Sequence, residues 1–255
     1  MIDSDQTTSE STLIAKNNVQ VSSLKPQAPS LAAATLAVFR KDLRIELRSR
    51  YALNALLLFA VSTVVAISLG LGPIAPRDNR DLKLIQAALM WVALLFAAFT
   101  GLARAFVQEE DTRTATALRL AAPPLAVYLG KLLFNLLLLL VLDAVIAALF
   151  IAMLRVGVGA PLMFAAVLAV GSCALVAATT LIAAIIARAS AKGALFAVLS
   201  FPLLIPPLVV AIRGTAFALE GESWAVGAAP IQVLLAYTLA LFVASLFLFK
   251  SVWEA

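Results

Sequence analysis

Six long stretches without a charged residue, or with only one, run through this chain, and they decide what it can fold into. Tyr51–Pro76, Leu84–Ala103, Val156–Ala187, Gly193–Ile212 and Ser223–Phe249 hold no Asp, Glu, Lys or Arg. Leu132–Leu154 holds one, Asp143. A helix of about 20 apolar residues crosses the ~30 Å hydrocarbon core of a bilayer. Backbone groups in lipid must pair within their own segment, so uncharged blocks of this length predict helices. Hydrophobic residues make up 63% of the 255. A soluble domain could not cover so much apolar surface. The expected fold is an all-α integral membrane protein of six transmembrane helices, with one permease domain over 32–255.

The rest of the chain divides simply. Residues 1–31 are polar, with Pro26 and Pro29, and predict a disordered cytoplasmic tail. They hold no apolar signal-peptide core, and Asp3, Asp5 and Glu10 argue against a transit peptide. Residues 32–50 predict an interfacial helix. Leu36, Phe39, Leu43 and Leu47 recur at helical spacing, with Arg40, Arg44 and Arg48 beside them. Such a helix buries its apolar stripe while its arginines reach lipid phosphates. Ile45 falls off that face. The alternative is that this stretch begins the first span.

Orientation follows from lysine and arginine placement. With the N-terminus cytoplasmic, the inner side holds twelve: Arg40, Lys41, Arg44, Arg48, Arg50, Arg104, Arg113, Arg119, Lys131, Arg188, Lys192 and Lys250. The outer side holds five: Arg77, Arg80, Lys83, Arg155 and Arg213. Both termini are expected inside. The net charge of +5 therefore orients the chain in the membrane. It forms no basic face, and no nucleic acid is expected as a partner.

Several chemistries are excluded. There is no histidine and one cysteine, Cys173, so neither a Ser–His pair nor a Cys/His metal cage can form. No phosphate-binding Gly-x-x-x-x-Gly-Lys-Ser/Thr loop is present. We expect no catalytic residue and no metal site. Cys173, among Ala, Val and Leu, is expected to be a small core residue. Asp143 is the one charge deep in a span. It should face the bundle or a partner, as a hydrogen-bonded packing residue or as a substrate or coupling site.

Two segments carry more information. The connection between spans 2 and 3 opens with Glu109, Glu110 and Asp111, runs through Arg113 and Leu118, and ends at Pro123-Pro124. Carboxylates favour a helix N-terminus, and Pro124 can open the next helix. From Pro124 to Leu154 that helix would run about 46 Å, longer than the bilayer needs. The connection is either a short acidic helix that docks on a soluble partner or a solvated loop. In the fifth span, Pro202, Pro206 and Pro207 remove backbone donors and predict a kink or break. The carbonyls they free need partners, so this span should pack closely or line a cavity.

Taken together, these residues resemble the CcmB family, the permease subunit of the cytochrome c maturation system. The resemblance covers about 36–250. It rests on the basic stretch Phe39-Arg-Lys-Asp-Leu-Arg-Ile-Glu-Leu-Arg48, the acidic connection, a Leu then Pro-Pro, Gly130-Lys131, and Leu199-Ser-Phe-Pro-Leu-Leu-Ile-Pro206. Thr114 stands where the family has Gly.

The resemblance implies an ABC-2-type permease in the bacterial inner membrane, working with a separate CcmA-like ATPase. It further implies CcmC-like and CcmD-like membrane subunits, a CcmE-like periplasmic haem chaperone, and paired copies of the permease. Haem is then a possible substrate and ATP acts through the partner; neither is bound as a cofactor. The acidic connection resembles the coupling helix that meets the ATPase, with Glu109, Glu110, Asp111, Arg113 and Leu118 at the interface.

Haem iron normally takes His, thiolate, Met or Tyr. With Met90, Met153 and Met163 as weak candidates, any contact is expected to be apolar, with propionates near Arg155 or Arg213; the alternative is that this subunit never touches haem. Two further functions stay open: a permease for another amphipathic substrate, lipid or drug, and a scaffold that transmits ATPase motion without carrying a substrate.

Overall fold

A computed structural model describes residues 30–49, 51–71, 79–102, 118, 120–186 and 192–254. The expected tail, up to Pro29, lies outside the described residues. So does most of the acidic connection, with Glu109, Glu110, Asp111 and Arg113. Among the described residues seven helices follow one another: α1 (Leu31–Ser49), α2 (Tyr51–Leu71), α3 (Arg80–Gly101), α4 (Pro124–Leu154), α5 (Pro161–Ile186), α6 (Lys192–Glu220) and α7 (Trp224–Glu254). Six of them, α2 to α7, are long and apolar enough to cross a membrane. The protein is an all-α, six-span membrane protein.

Local chemistry sets the helix ends. Asn79 caps α3, its side chain accepting from the Asp81 amide at 3.0 Å, and Asp81 lies in the first turn. Pro124 and Pro161 open α4 and α5, where a missing N–H costs nothing. α4 ends at Arg155, in the left-handed region at φ 50°. α6 ends at Gly221, φ 79°. Its last carbonyls are not left bare. Ala160 N–H donates to Ala218 at 2.9 Å and Gly159 N–H to Leu219 at 3.4 Å. Gly159 and Gly221 meet backbone to backbone, and no side chain fits between them.

α5 is the most enclosed span and α2 and α7 the least. α5 packs on α6, α7 and α4; α3 packs on α6 and α2; α1 lies along α4. Leu58 and Leu69 on α2, and Leu239 and Phe247 on α7, stand exposed as lipid-facing residues do.

α1 leaves Leu36 and Leu47 of its apolar stripe 42% and 53% exposed, as an interfacial helix does. It buries Ala34, Thr35, Val38 and Asp42 against α4. The reason lies on α4: Gly130 has no side chain, and a Cβ there would sit 2.7 Å from the Val38 Cβ and 2.9 Å from the Thr35 carbonyl. The face of α1 was chosen by its partner rather than by its most apolar stripe.

The fifth span does not break. α6 is helical through Pro202, Pro206 and Pro207 and continues past Arg213 to Glu220. Pro230 suggests the start of the sixth span, but that helix, α7, begins at Trp224 and carries Pro230 inside it.

Candidate coupling surface and intramembrane polar layers

Two polar layers and one apolar cluster stand out. The cluster lies at the α1 end of the bundle. It joins Val38 of α1, Val127 and Tyr128 of α4, Ile182, Ala183, Ala184 and Ile186 of α5, and Phe249 of α7. The Tyr128 and Phe249 rings lie 5.0 Å apart. Leu118 and Ala122, at the end of the acidic connection, pack against this cluster together with Phe99 of α3 and Leu203 of α6. Of the five residues expected at the coupling surface, Leu118 is the one described, and it is half-buried here. Movement of the connection would thus bear on six helices at once.

Beside the cluster is a buried ion pair. Lys131, 1% exposed, donates to Asp42 Oδ2 at 3.2 Å, and Lys41 meets the other carboxylate oxygen at 3.2 Å. It was missed in the sequence because Asp42 sits in a charged helix and Lys131 beside a proline-opened turn. Each alone suggests a solvated charge. The signal was the Gly130-Lys131 step, a small residue beside a cation that lets another helix approach. Removing one member of such a pair costs on the order of 3–5 kcal/mol.

The second layer lies mid-bundle. Trp91, Asp143 and Ser172 are each eleven residues, about 16 Å, from the end of their helix opposite α1. That is about half of the ~30 Å core. Ser172 donates to Asp143, which is 4% exposed. Asp143 therefore faces the bundle and is hydrogen-bonded, with its second oxygen buried and unpaired. Trp91, fully buried, donates from Nε1 to Thr215 Oγ1 at 2.8 Å. Its ring fills the space left by Gly171. Nearer the α1 end, Asn135 donates to Thr180 at 2.9 Å. These bonds tie α3 to α6 and α4 to α5, where apolar contact alone gives little preference over lipid.

The Asp143 bond yields a test. Asp143→Asn keeps both shape and an oxygen for Ser172, and should unfold within about 1 kcal/mol of the wild type. Asp143→Leu leaves the Ser172 hydroxyl without that partner and should lose about 1–3 kcal/mol. Thermal unfolding in detergent reads both; equal losses would mean that charge, not hydrogen bonding, holds the layer.

The prolines of α6 keep their carbonyls satisfied at one point. Pro207 cannot donate to the Leu203 carbonyl four residues back, and Tyr237 of α7 does so instead at 2.6 Å. A groove of about 320 Å³ lies between α4, α5 and α7, lined by Leu132, Leu136, Cys173, Val176, Leu235 and Phe242 among others. Cys173 is thus half-exposed along this groove rather than a core residue.

Arg155 and Arg213 are both exposed, Arg155 at the end of α4 and Arg213 on α6. Neither lines the groove. Met90 and Met163 are buried, and Met153 is 40% exposed. Among the described residues no group of three His, Cys, Asp or Glu could hold a metal.

The arrangement is a six-span bundle in which the end of the connection packs on a shared cluster. No curated relative matches the chain. Its sequence matches the family described as CcmB protein over residues 33–252. That match takes in nearly all of α1 and α7 and everything between them, and the chain therefore belongs to the CcmB family, membrane permeases of cytochrome c maturation.

Proposed function

We propose that this chain is the membrane permease of an ABC transporter in which a separate CcmA-like ATPase docks on the acidic connection and drives haem export or release of a haem-loaded, CcmE-like chaperone. The observation that carries it is the seat of Leu118 and Ala122 on the cluster shared by the helices. A push on the connection reaches the bundle there. The chain has no phosphate-binding loop of its own, so ATP acts through the partner. Orientation is the one that lysine and arginine placement favours, with both termini cytoplasmic, α1 inside, and the 155–160 connection outside. CcmC-like and CcmD-like subunits supply the haem ligands, and the permease works as paired copies.

Haem contact, on this proposal, is apolar and without a strong axial ligand. Arg155 and Arg213 are exposed and have no ion-pair partner among the described residues, which suits propionates at the outer side. Deleting the gene should abolish c-type cytochromes, and expression of the chain should restore them, as read by haem staining. The purified subunit alone should show no stoichiometric haem spectrum. A tight spectrum lost on one Met or Tyr substitution would overturn the ligand-free contact. Normal cytochromes in the deletion strain would favour another amphipathic substrate.

A further inference from the structure

Asp42 and Lys131 sit where α1 and α4 come closest. Gly130 brings the two backbones together at Val38 and Thr35, and Lys131 then reaches the carboxylate one helical turn further along α1. Lys131 lies seven residues into α4, about 10 Å beyond the point where the acidic connection ends. Within a membrane, apolar helix faces slide past each other readily, because lipid is an equal partner for them. Ala34 and Val38 alone would therefore hold α1 on α4 without fixing its register. A buried ammonium that must keep its carboxylate does fix it, since only one alignment joins the two. Lys41 on the second oxygen steadies the carboxylate from the surface side.

We propose that Asp42 and Lys131 are positioning residues that make α1 and the first third of α4 one rigid body. Displacement of the connection then carries α1 with it. The far face of α1, with Leu36, Arg40, Arg44 and Leu47 exposed, moves against the membrane surface rather than staying behind as a passive anchor. The part played by the connection rests on the function proposed above; the rigidity of the joint does not.

The test uses spin labels in a Cys173→Ala background. One pair joins α1 to α4, through Arg44→Cys and Leu133→Cys, both exposed positions. A second joins α1 to α3, through Arg44→Cys and Leu84→Cys. In the full chain in lipid nanodiscs, the α1–α4 distance should be narrowly distributed. Lys131→Met should broaden it, and the swap Asp42→Lys with Lys131→Asp should narrow it again.

Where Lys131→Met fails to fold, the apolar pair Asp42→Leu with Lys131→Met takes its place. That pair packs and should keep thermal stability, yet broaden the distance and lose c-type cytochrome assembly. A merely structural role would leave both unchanged, and that result overturns the proposal. With the ATPase bound, ATP trapping should shift the α1–α3 distance and leave the α1–α4 distance fixed; an equal shift in both overturns it. If no ATPase binds the chain, the proposed function fails, and the label widths without ATPase still decide the joint.

Discussion

Trp91→Ala is expected to remove most of the folded protein from the membrane. The side chain is fully buried between α3, α5 and α6, and truncating a buried Trp costs about 3–5 kcal/mol through the cavity it leaves. It also strips Thr215 of the Nε1 donor at 2.8 Å. Against a total stability of about 5–15 kcal/mol, that is a large share.

The same site should fail from the opposite direction. A Cβ at Gly171 would overlap the far end of the indole and lie 3.0 Å from its Cζ2. The ring cannot swing away without losing Thr215. Gly171→Ala should therefore destabilise by about 1–3 kcal/mol and Gly171→Leu should prevent folding. Trp91→Phe removes the overlapping atoms, so Gly171→Ala should cost less in that background than alone. Membrane accumulation and thermal unfolding in detergent measure all four. An additive Trp91→Phe, Gly171→Ala double variant would show that the two residues do not compete for one space.

Much of the bundle could be read before its structure, because the features that set it are local. Pro123-Pro124 and the end of the apolar run at Arg155 bounded α4 to the residue. Uncharged length located all six spans. What sequence could not supply was the choice among neighbours. The apolar stripe of α1 was legible as membrane-facing, but nothing in the pattern told that Gly130 and Lys131 of α4 take the face with Asp42. Arg213 suggested the end of the fifth span. The helix runs on because Gly214 and Thr215 are held by contacts with α5, α7 and α3.

Pro207 suggested a break, yet Tyr237 from another helix takes over the carbonyl it frees. In each case the deciding group lies far along the chain; Trp91 and Thr215 are 124 residues apart. Asp143 was legible as inward-facing because charge in a span is costly. Its partner Ser172 was not, since a serine in an apolar run has no distinguishing pattern.

The acidic connection is where sequence still carries the argument furthest. Glu109, Glu110 and Asp111 put three carboxylates in a row on a segment whose far end, Leu118 and Ala122, is anchored in the bundle. A surface of this kind suits a cationic patch on a soluble partner. Glu110→Lys with Asp111→Lys changes its charge by four. Like charges facing each other at a docking surface cost several kcal/mol. At about 1.4 kcal/mol per tenfold, binding of the ATPase should weaken by a hundredfold or more.

The subunit itself should still insert and accumulate, because these residues lie outside the spans. Glu110→Gln with Asp111→Asn removes attraction without adding repulsion, and should fall between the wild type and the reversal. Leu118→Ala should act differently: its half-buried side chain belongs to the cluster, so it should loosen transmission while leaving docking intact. Co-purification of the ATPase, measured at low and moderate salt, separates the cases, since screening weakens exposed charge pairs and leaves apolar contacts alone. Undiminished co-purification and normal c-type cytochromes in the double reversal would remove the connection from the coupling path.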